Sequence, residues 1–252
     1  MHRSLRLSLA TIILLTACNA EPVAWSDVVY QGAPNTPLES ESSFAPAPSS
    51  LACPGSVRIA RAGTVSYAAW WEARPDSSVV LMVSEEAKPG TWKPPVVADS
   101  TDHGVRGCGR PSPAITADSA SGYLHLAYFA EPNSGAGVFF AHSMDRAATF
   151  HSPVAIVYGR NPARVSVASN GDRVIVAYED PNAVQPTVAV ALSNTMGHIF
   201  ERRIQVSGEN GRARQPVVRL GADSIRIWWS EYSSDPTVSA TRPMYRAGVW
   251  HK

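Results

Sequence analysis

Arginine stands ahead of a proline in three loops: Gly109-Arg110-Pro111-Ser112-Pro113, Gly159-Arg160-Asn161-Pro162 and Ala213-Arg214-Gln215-Pro216. Guanidinium groups that converge from three such loops hold a carboxylate or sulfate through charge-assisted, bidentate hydrogen bonds. The other reading is that each arginine is solvated or packs on its neighbour, and spacing alone does not separate the two. For acid, base and nucleophile work the candidates are Asp76, Glu231 and the adjoining Tyr232, although no motif surrounds them. The seven histidines show no metal-ligand spacing, and His125 alternates inside an apolar stretch where a satisfied neutral ring is expected. Neither a glycine-rich phosphate loop nor a Gly-x-Ser-x-Gly elbow occurs, so no metal and no cofactor is expected.

The elements that position these residues repeat. From Ser56 onward the chain cycles about every 50 residues through an apolar strand, a turn with Gly or Asp, and a second strand ending on an aromatic near an acid. The second strands run Thr64–Glu72, Tyr123–Tyr128, Arg173–Glu179 and Ser224–Trp229, with Trp70, Tyr128, Tyr178 and Trp229 in matching places. A third strand follows, as in Gly137–His142 and Thr187–Leu192, and then a fourth after a turn. Short strands at regular spacing, without an amphipathic helix, predict an all-β fold. Four strands per repeat predict a β-propeller of about four four-stranded blades. In that architecture the three arginine loops lead into innermost strands and ring one mouth.

The turn after the third strand carries the most specific pattern. Ser143-Met144-Asp145-Arg146-Ala147-Ala148-Thr149-Phe150 resembles the Asp-box, or BNR, repeat of sialidase-like propellers, Ser-x-Asp-x-Gly-x-Thr followed by an aromatic, departing at Ala147. Ser193 to Phe200 keeps the Ser, the Gly and the aromatic but has Thr195 in place of the acid. Ser84-Glu85-Glu86 with Gly90-Thr91-Trp92 has one extra residue, and Ser239 to Trp250 has lost most of the motif. The resemblance covers roughly residues 56 to 250. It implies a structural role for Ser143, Asp145, Thr149 and Phe150, because such turns lie away from the mouth where ligands bind.

Sialidases bind a sugar carboxylate with an arginine triad and use a Tyr–Glu pair and an Asp for hydrolysis. Val57-Arg58-Ile59-Ala60, Gly63-Thr64 and Glu72-Ala73-Arg74 resemble a shortened form of their first arginine motif, which implies that Arg58 matches the first member of the triad. The motif's aromatic and proline are missing, and four repeats are fewer than that family's six blades.

The opening residues place the chain. A basic Met-His-Arg-Ser-Leu-Arg, an apolar run from Leu7 to Leu15 and then Thr16-Ala17-Cys18 follow the order of an export signal too short to cross a bilayer as a helix. Leu15-Thr16-Ala17-Cys18 resembles the lipobox of bacterial lipoproteins, which implies a signal peptide over 1–17, a lipid on Cys18 and attachment to a membrane. Asn19, rather than Asp, points to the outer membrane. Residues 18–50 are rich in Pro, Ser, Ala and Glu and are expected to form a tether, save that Trp25 to Tyr30 reads as one strand returning to close the ring. The propeller is expected over 51–252.

With Cys18 lipidated, Cys53 and Cys108 form an even pair in an oxidising compartment, expected to be a disulfide; two buried thiols are the alternative. A net charge of +1, from 22 basic and 21 acidic residues, leaves nucleic-acid binding without its electrostatic footprint. Two functions fit. One is a non-catalytic module at the cell envelope whose mouth holds a glycan, another anion or a protein partner. The other is a sialidase-type glycoside hydrolase.

Overall fold

A computed structural model describes residues 21–30, 48–208, 212–233 and 241–251. Two short strands, β1 (Val23–Trp25) and β2 (Val29–Tyr30), precede four antiparallel sheets that follow one another as blades I to IV. Blade I comprises β3 (Arg58–Ala62), β4 (Val65–Ala73) and β5 (Val79–Lys88), with β6 (Thr91–Trp92) extending the β5 hairpin and β7 (Val96–Asp99) at the outer edge. Blade II comprises β8 (Ala114–Ala117), β9 (Leu124–Ala130), β10 (Gly137–Ser143) and β11 (Val154–Tyr158). Blade III repeats the plan with β12 (Val165–Asn170), β13 (Arg173–Glu179), β14 (Val188–Ser193) and β15 (Arg202–Gln205). Blade IV has β16 (Arg212–Leu220), β17 (Ser224–Tyr232) and β18 (Thr241–Trp250). The fold is an all-β propeller of four blades.

Alternation within the second and third strands explains why the sheets stack. Leu124, Leu126 and Tyr128 point from β9 toward blade I, while Ala127 and Phe129 point toward blade III, and all seven residues of β9 are buried. A sheet covered on both faces needs apolar residues at odd and even positions alike, which is the composition of Leu-His-Leu-Ala-Tyr-Phe-Ala. Likewise Val174, Val176 and Tyr178 of β13 face blade II, and Ile175 and Ala177 face blade IV. Three buried apolar clusters fill the I/II, II/III and III/IV seams, and among the described residues no fourth joins IV to I. The far face of β17 carries Arg226, Trp228, Ser230 and Tyr232, half-buried or exposed.

Polar ties reinforce the first seam. The Trp71 indole N–H donates to the Pro111 carbonyl (2.9 Å), and the Tyr128 hydroxyl donates to Asp99 (2.9 Å). Cys53 and Cys108 form a disulfide across a separation of 55 residues, with Cα atoms 5.2 Å apart. It clips the segment ahead of β3 to the loop entering blade II.

The segment read as one closing strand is two. β1 pairs with β18 along Val23–Trp25, and β2 pairs with Tyr245 and Met244 of the same strand. Val23 and Ala24, expected in the tether, therefore join Trp25, Val29 and Tyr30 in blade IV, whose strands begin N-terminal of residue 51. Apolar Val23 is drawn in because it fills the III/IV cluster. Cys18 and residues 31–47 lie outside the described residues.

Two tight turns join the third and fourth strands. In blade II, Ser143 accepts the Ala147 amide (2.9 Å), and Asp145 accepts both the amide (2.9 Å) and the hydroxyl (2.6 Å) of Thr149. In blade III, Ser193 accepts the Gly197 amide (3.0 Å), and the Thr195 hydroxyl takes the place of the carboxylate by accepting the Ile199 amide (2.9 Å). Both turns need left-handed residues, Arg146-Ala147 and Met196-Gly197. A Cβ on Gly197 would also collide with the Phe140 ring. The blade I counterpart instead runs on as the β5–β6 hairpin, where Glu86 accepts the Gly90 amide (2.7 Å).

Candidate functional site

The innermost strands β3, β8, β12 and β16 surround an axial cavity of ≈ 770 Å³. Its walls combine cations and hydrogen-bonding groups: Arg58 from blade I, Ser112 from blade II, Arg164 and Ser166 from blade III, and Gln215 and Arg219 from blade IV. Arg58 is the first residue of β3, and its guanidinium donates to the carbonyls of Gly55 (2.9 Å) and Val57 (2.7 Å). Burial, and then the charge of Arg164, pull the Arg58 guanidinium below its ordinary pKa. Two cations from blades I and III thus oppose each other across the mouth, and among the described residues neither has a carboxylate in ion-pairing range.

Gln215 gives the fourth wall its shape. Its φ is 58°, a costly backbone for a residue with a Cβ, and it lies where β16 slips register between Arg214 and Val217. Glu179, at the end of β13, accepts the Gln215 amide (2.9 Å) and a longer bond from the Arg164 amide (3.4 Å), so one buried carboxylate sets two lining residues. A bulge pinned in this way re-aims side chains toward a site.

The predicted arginines fare differently. Arg110 lies at the cavity with its side chain fully buried, but its guanidinium is taken by Asp102 (2.6 Å) and Glu131 (3.0 Å). Arg106 adds a second cation to Glu131 (2.9 Å). Arg160 is exposed on its loop, and Arg214, expected in a loop, is exposed within β16 opposite Ser230; neither lines the cavity. Arg164 was missed because the reading followed arginine before proline; the informative signal is an arginine directly at the start of an inner strand, a place Arg58 and Arg164 share.

The three groups considered for hydrolysis are not gathered here. Asp76 is exposed in the β4–β5 turn, where it accepts the Ser78 hydroxyl (2.7 Å) and amide (2.9 Å), bonds that hold its carboxyl below the usual carboxylate pKa. Glu231 and Tyr232 end β17, paired with Ala213 and Arg212, outside the cavity lining.

At the other end of the blades the turns of II and III bring three histidines together, a grouping that sequence spacing conceals. Ring nitrogens of His142, His151 and His198 all lie within 4.8 Å of one another. The three come from two turns a whole repeat apart, so their grouping in space leaves no ligand spacing in the sequence.

The chain matches no protein-family model and no curated protein sequence. Among solved structures it is similar to a Hadza microbial sialidase, at 14% identity and a TM-score of 0.51, over 75% of this chain and 43% of that one. It is also similar to a neuraminidase-like protein of A/little yellow-shouldered bat/Guatemala, at 10% identity and a TM-score of 0.53, over 78% of this chain and 56% of that one. A neuraminidase-like protein from A/bat/Guatemala gives 11% identity and a TM-score of 0.50, over 78% and 52%. The chain therefore spans about half the length of these proteins. At such identities the likeness shows a shared sialidase-like propeller fold.

Proposed function

We propose that the chain is a lipoprotein of the cell envelope whose propeller binds a carboxylated or sulfated glycan at its axial mouth without cleaving it. The observation that carries this reading is the opposition of Arg58 and Arg164 across the cavity, unneutralised among the described residues. Such cations repel one another when the site is empty, and an anion that bridges them relieves the repulsion. Ser112, Gln215 and Arg219 supply polar contacts to the rest of a sugar. The turns at Ser143–Phe150 and Ser193–Phe200, read as Asp-boxes, support the same architecture.

Lipid on Cys18 gives this propeller a particular setting. Because β1 begins at Val23, only residues 19–22 separate the anchor from blade IV, a reach of at most ~18 Å from Cys18 to Val23. The outer edge of blade IV then rests close to the lipid surface, with the outer membrane as the favoured destination. Replacing Cys18 by Ser should move the protein from the membrane fraction to the soluble fraction, and retention would overturn the anchor.

Calorimetry with a sialoside and with a sulfated disaccharide tests the mouth. Binding that weakens with salt and is lost in Arg58→Ala/Arg164→Ala supports the proposal. Release of product from a fluorogenic sialoside, abolished by Tyr232→Phe, would replace it with the hydrolase reading. Indifference to every anionic glycan would turn the mouth toward a protein partner.

A further inference from the structure

We propose that His142, His151 and His198 form a binding site for a borderline divalent transition ion, such as Zn²⁺ or Cu²⁺, across the seam between blades II and III. The site lies at the end of the blades opposite the axial mouth, and its argument is independent of the glycan reading. Register fixes that placement: Gly137 of β10 pairs with Ala130 at the mouth end, and Ser143 pairs with Leu124 at the far end.

The ligands lie on or beside the two turns already described. His142 is the penultimate residue of β10, on the β10 face that meets blade III, beside Phe140 and cross-strand from His125. His151 follows the blade II turn and returns to it, its amide donating to the His142 carbonyl (3.0 Å). His198 comes from the blade III turn. The His142 ring lies 4.4 Å from that of His151 and 4.6 Å from that of His198 between centroids, so the buried ring sits between the two exposed ones.

Two further observations point to a ligand. His142 is only 3% exposed, and its Nε2 is buried without a hydrogen-bond partner, an arrangement that costs free energy unless an acceptor of that lone pair arrives. The Nδ1 of His198 lies 2.7 Å from the Thr195 carbonyl, which accepts its proton and leaves Nε2 as the lone-pair nitrogen. Orientation of a histidine by a backbone carbonyl is the usual outer support of a metal ligand.

Three imidazoles without a carboxylate select the ion class. They suit Zn²⁺, Cu²⁺ or Ni²⁺, whereas Ca²⁺ and Mg²⁺ require oxygen ligands. Tetrahedral bonds of about 2.1 Å place ligand nitrogens roughly 3.4 Å apart, so the cluster must contract by at most about 1.4 Å. Exposed His151 and His198 accomplish this by side-chain rotation, and the open side leaves a fourth position for water or an outside ligand.

The test is calorimetric titration of the full chain, carrying no affinity histidines, with Zn²⁺ and Cu²⁺ alone and with Ca²⁺ as control. One Zn²⁺ or Cu²⁺ per chain is expected, with a higher unfolding midpoint in its presence and no response to Ca²⁺. His151→Ala and His198→Ala should each weaken binding by more than about 100-fold, beyond the loss typical of an outer partner. Because both side chains are exposed, the metal-free unfolding midpoint should stay unchanged. Electron paramagnetic resonance of the Cu²⁺ form should show hyperfine coupling to imidazole nitrogens that the double variant lacks. Absence of one-to-one binding, or binding that persists in His151→Ala/His198→Ala, overturns the site.

Discussion

Blades II and III start from the same parts and use them oppositely. Each has an arginine ahead of a proline, an inner strand, and a glutamate just past or at the end of its second strand. In blade II, Glu131 meets Arg110 from one side while Asp102 closes on it from the other, so the cation is sealed inside. Asp102 comes from the segment following β7 and is itself held by bridging to Pro132 and by accepting the Glu131 amide (2.8 Å). In blade III, Glu179 faces backbone amides of Gln215 and Arg164, and among the described residues no carboxylate forms an ion pair with Arg164. An arginine near the axis is thus made structural or left for a ligand by what the preceding blade contributes, not by its own sequence motif. The turns repeat the lesson on a smaller scale, with Asp145 and Thr195 solving one geometry by a charge and by a hydroxyl.

The sharpest way to break this comparison is to remove each arginine and measure stability by urea unfolding. Arg110→Ala leaves Asp102 buried without its cation and should cost about 3–5 kcal/mol. Arg164→Ala, at an exposed position, should stay within about 0.5 kcal/mol. Similar losses for the two would erase the distinction. Next in size is the disulfide that holds the blade II loop: reduction should cost about 2–4 kcal/mol, and equal melting temperatures with and without reductant would show that the buried ion pairs suffice alone.

For ligand binding the order of the two arginines reverses. Arg164→Ala should weaken anion binding by about 1.5–3 kcal/mol, the range for a hydrogen bond to a charged group, and should flatten its salt dependence. The smallest effect is at the turns. Bonds from the Thr149 hydroxyl and amide lower the Asp145 pKa to about 2, below an unfolded value of about 3.9. Its contribution is therefore present above about pH 4 and is lost as pH falls toward about 2. Since Asp145 is exposed, solvent keeps this under about 1 kcal/mol. Asp145→Thr, copying blade III, should remove that acid sensitivity in pH-dependent melts while leaving neutral stability nearly unchanged.

The propeller was legible because its evidence is local and repeated. Alternation in Leu124–Ala130 and Arg173–Glu179, and the turn residues after each third strand, report strand, face and period without knowledge of partners. The disulfide followed from the even pair that Cys53 and Cys108 make once Cys18 is set aside for the lipid. The site was less legible because its members acquire roles from other blades. Nothing near Arg110 in sequence announces that Asp102 and Glu131 will converge on it from two sides. The imidazole cluster draws on two turns separated by a whole repeat, so no ligand spacing records it. Arg164 was visible as a residue but not as a wall, since the mouth is defined by where four inner strands begin.

The union of β1 with β18 also sets an order of events. Blades I, II and III are each built from contiguous chain, whereas Val23 must find Trp250 before blade IV has its outer strands. Closing so long a loop adds little free-energy cost, since each doubling of length adds only about 0.6 kcal/mol. It is nonetheless slow, because pairing across such a separation gains nothing until the intervening sheets are in place. Docking of β1 should accordingly be the last folding step. Until it happens, β18 presents an unpaired edge to other chains, and a peptide with the sequence of residues 21–30 should compete for that edge only during refolding.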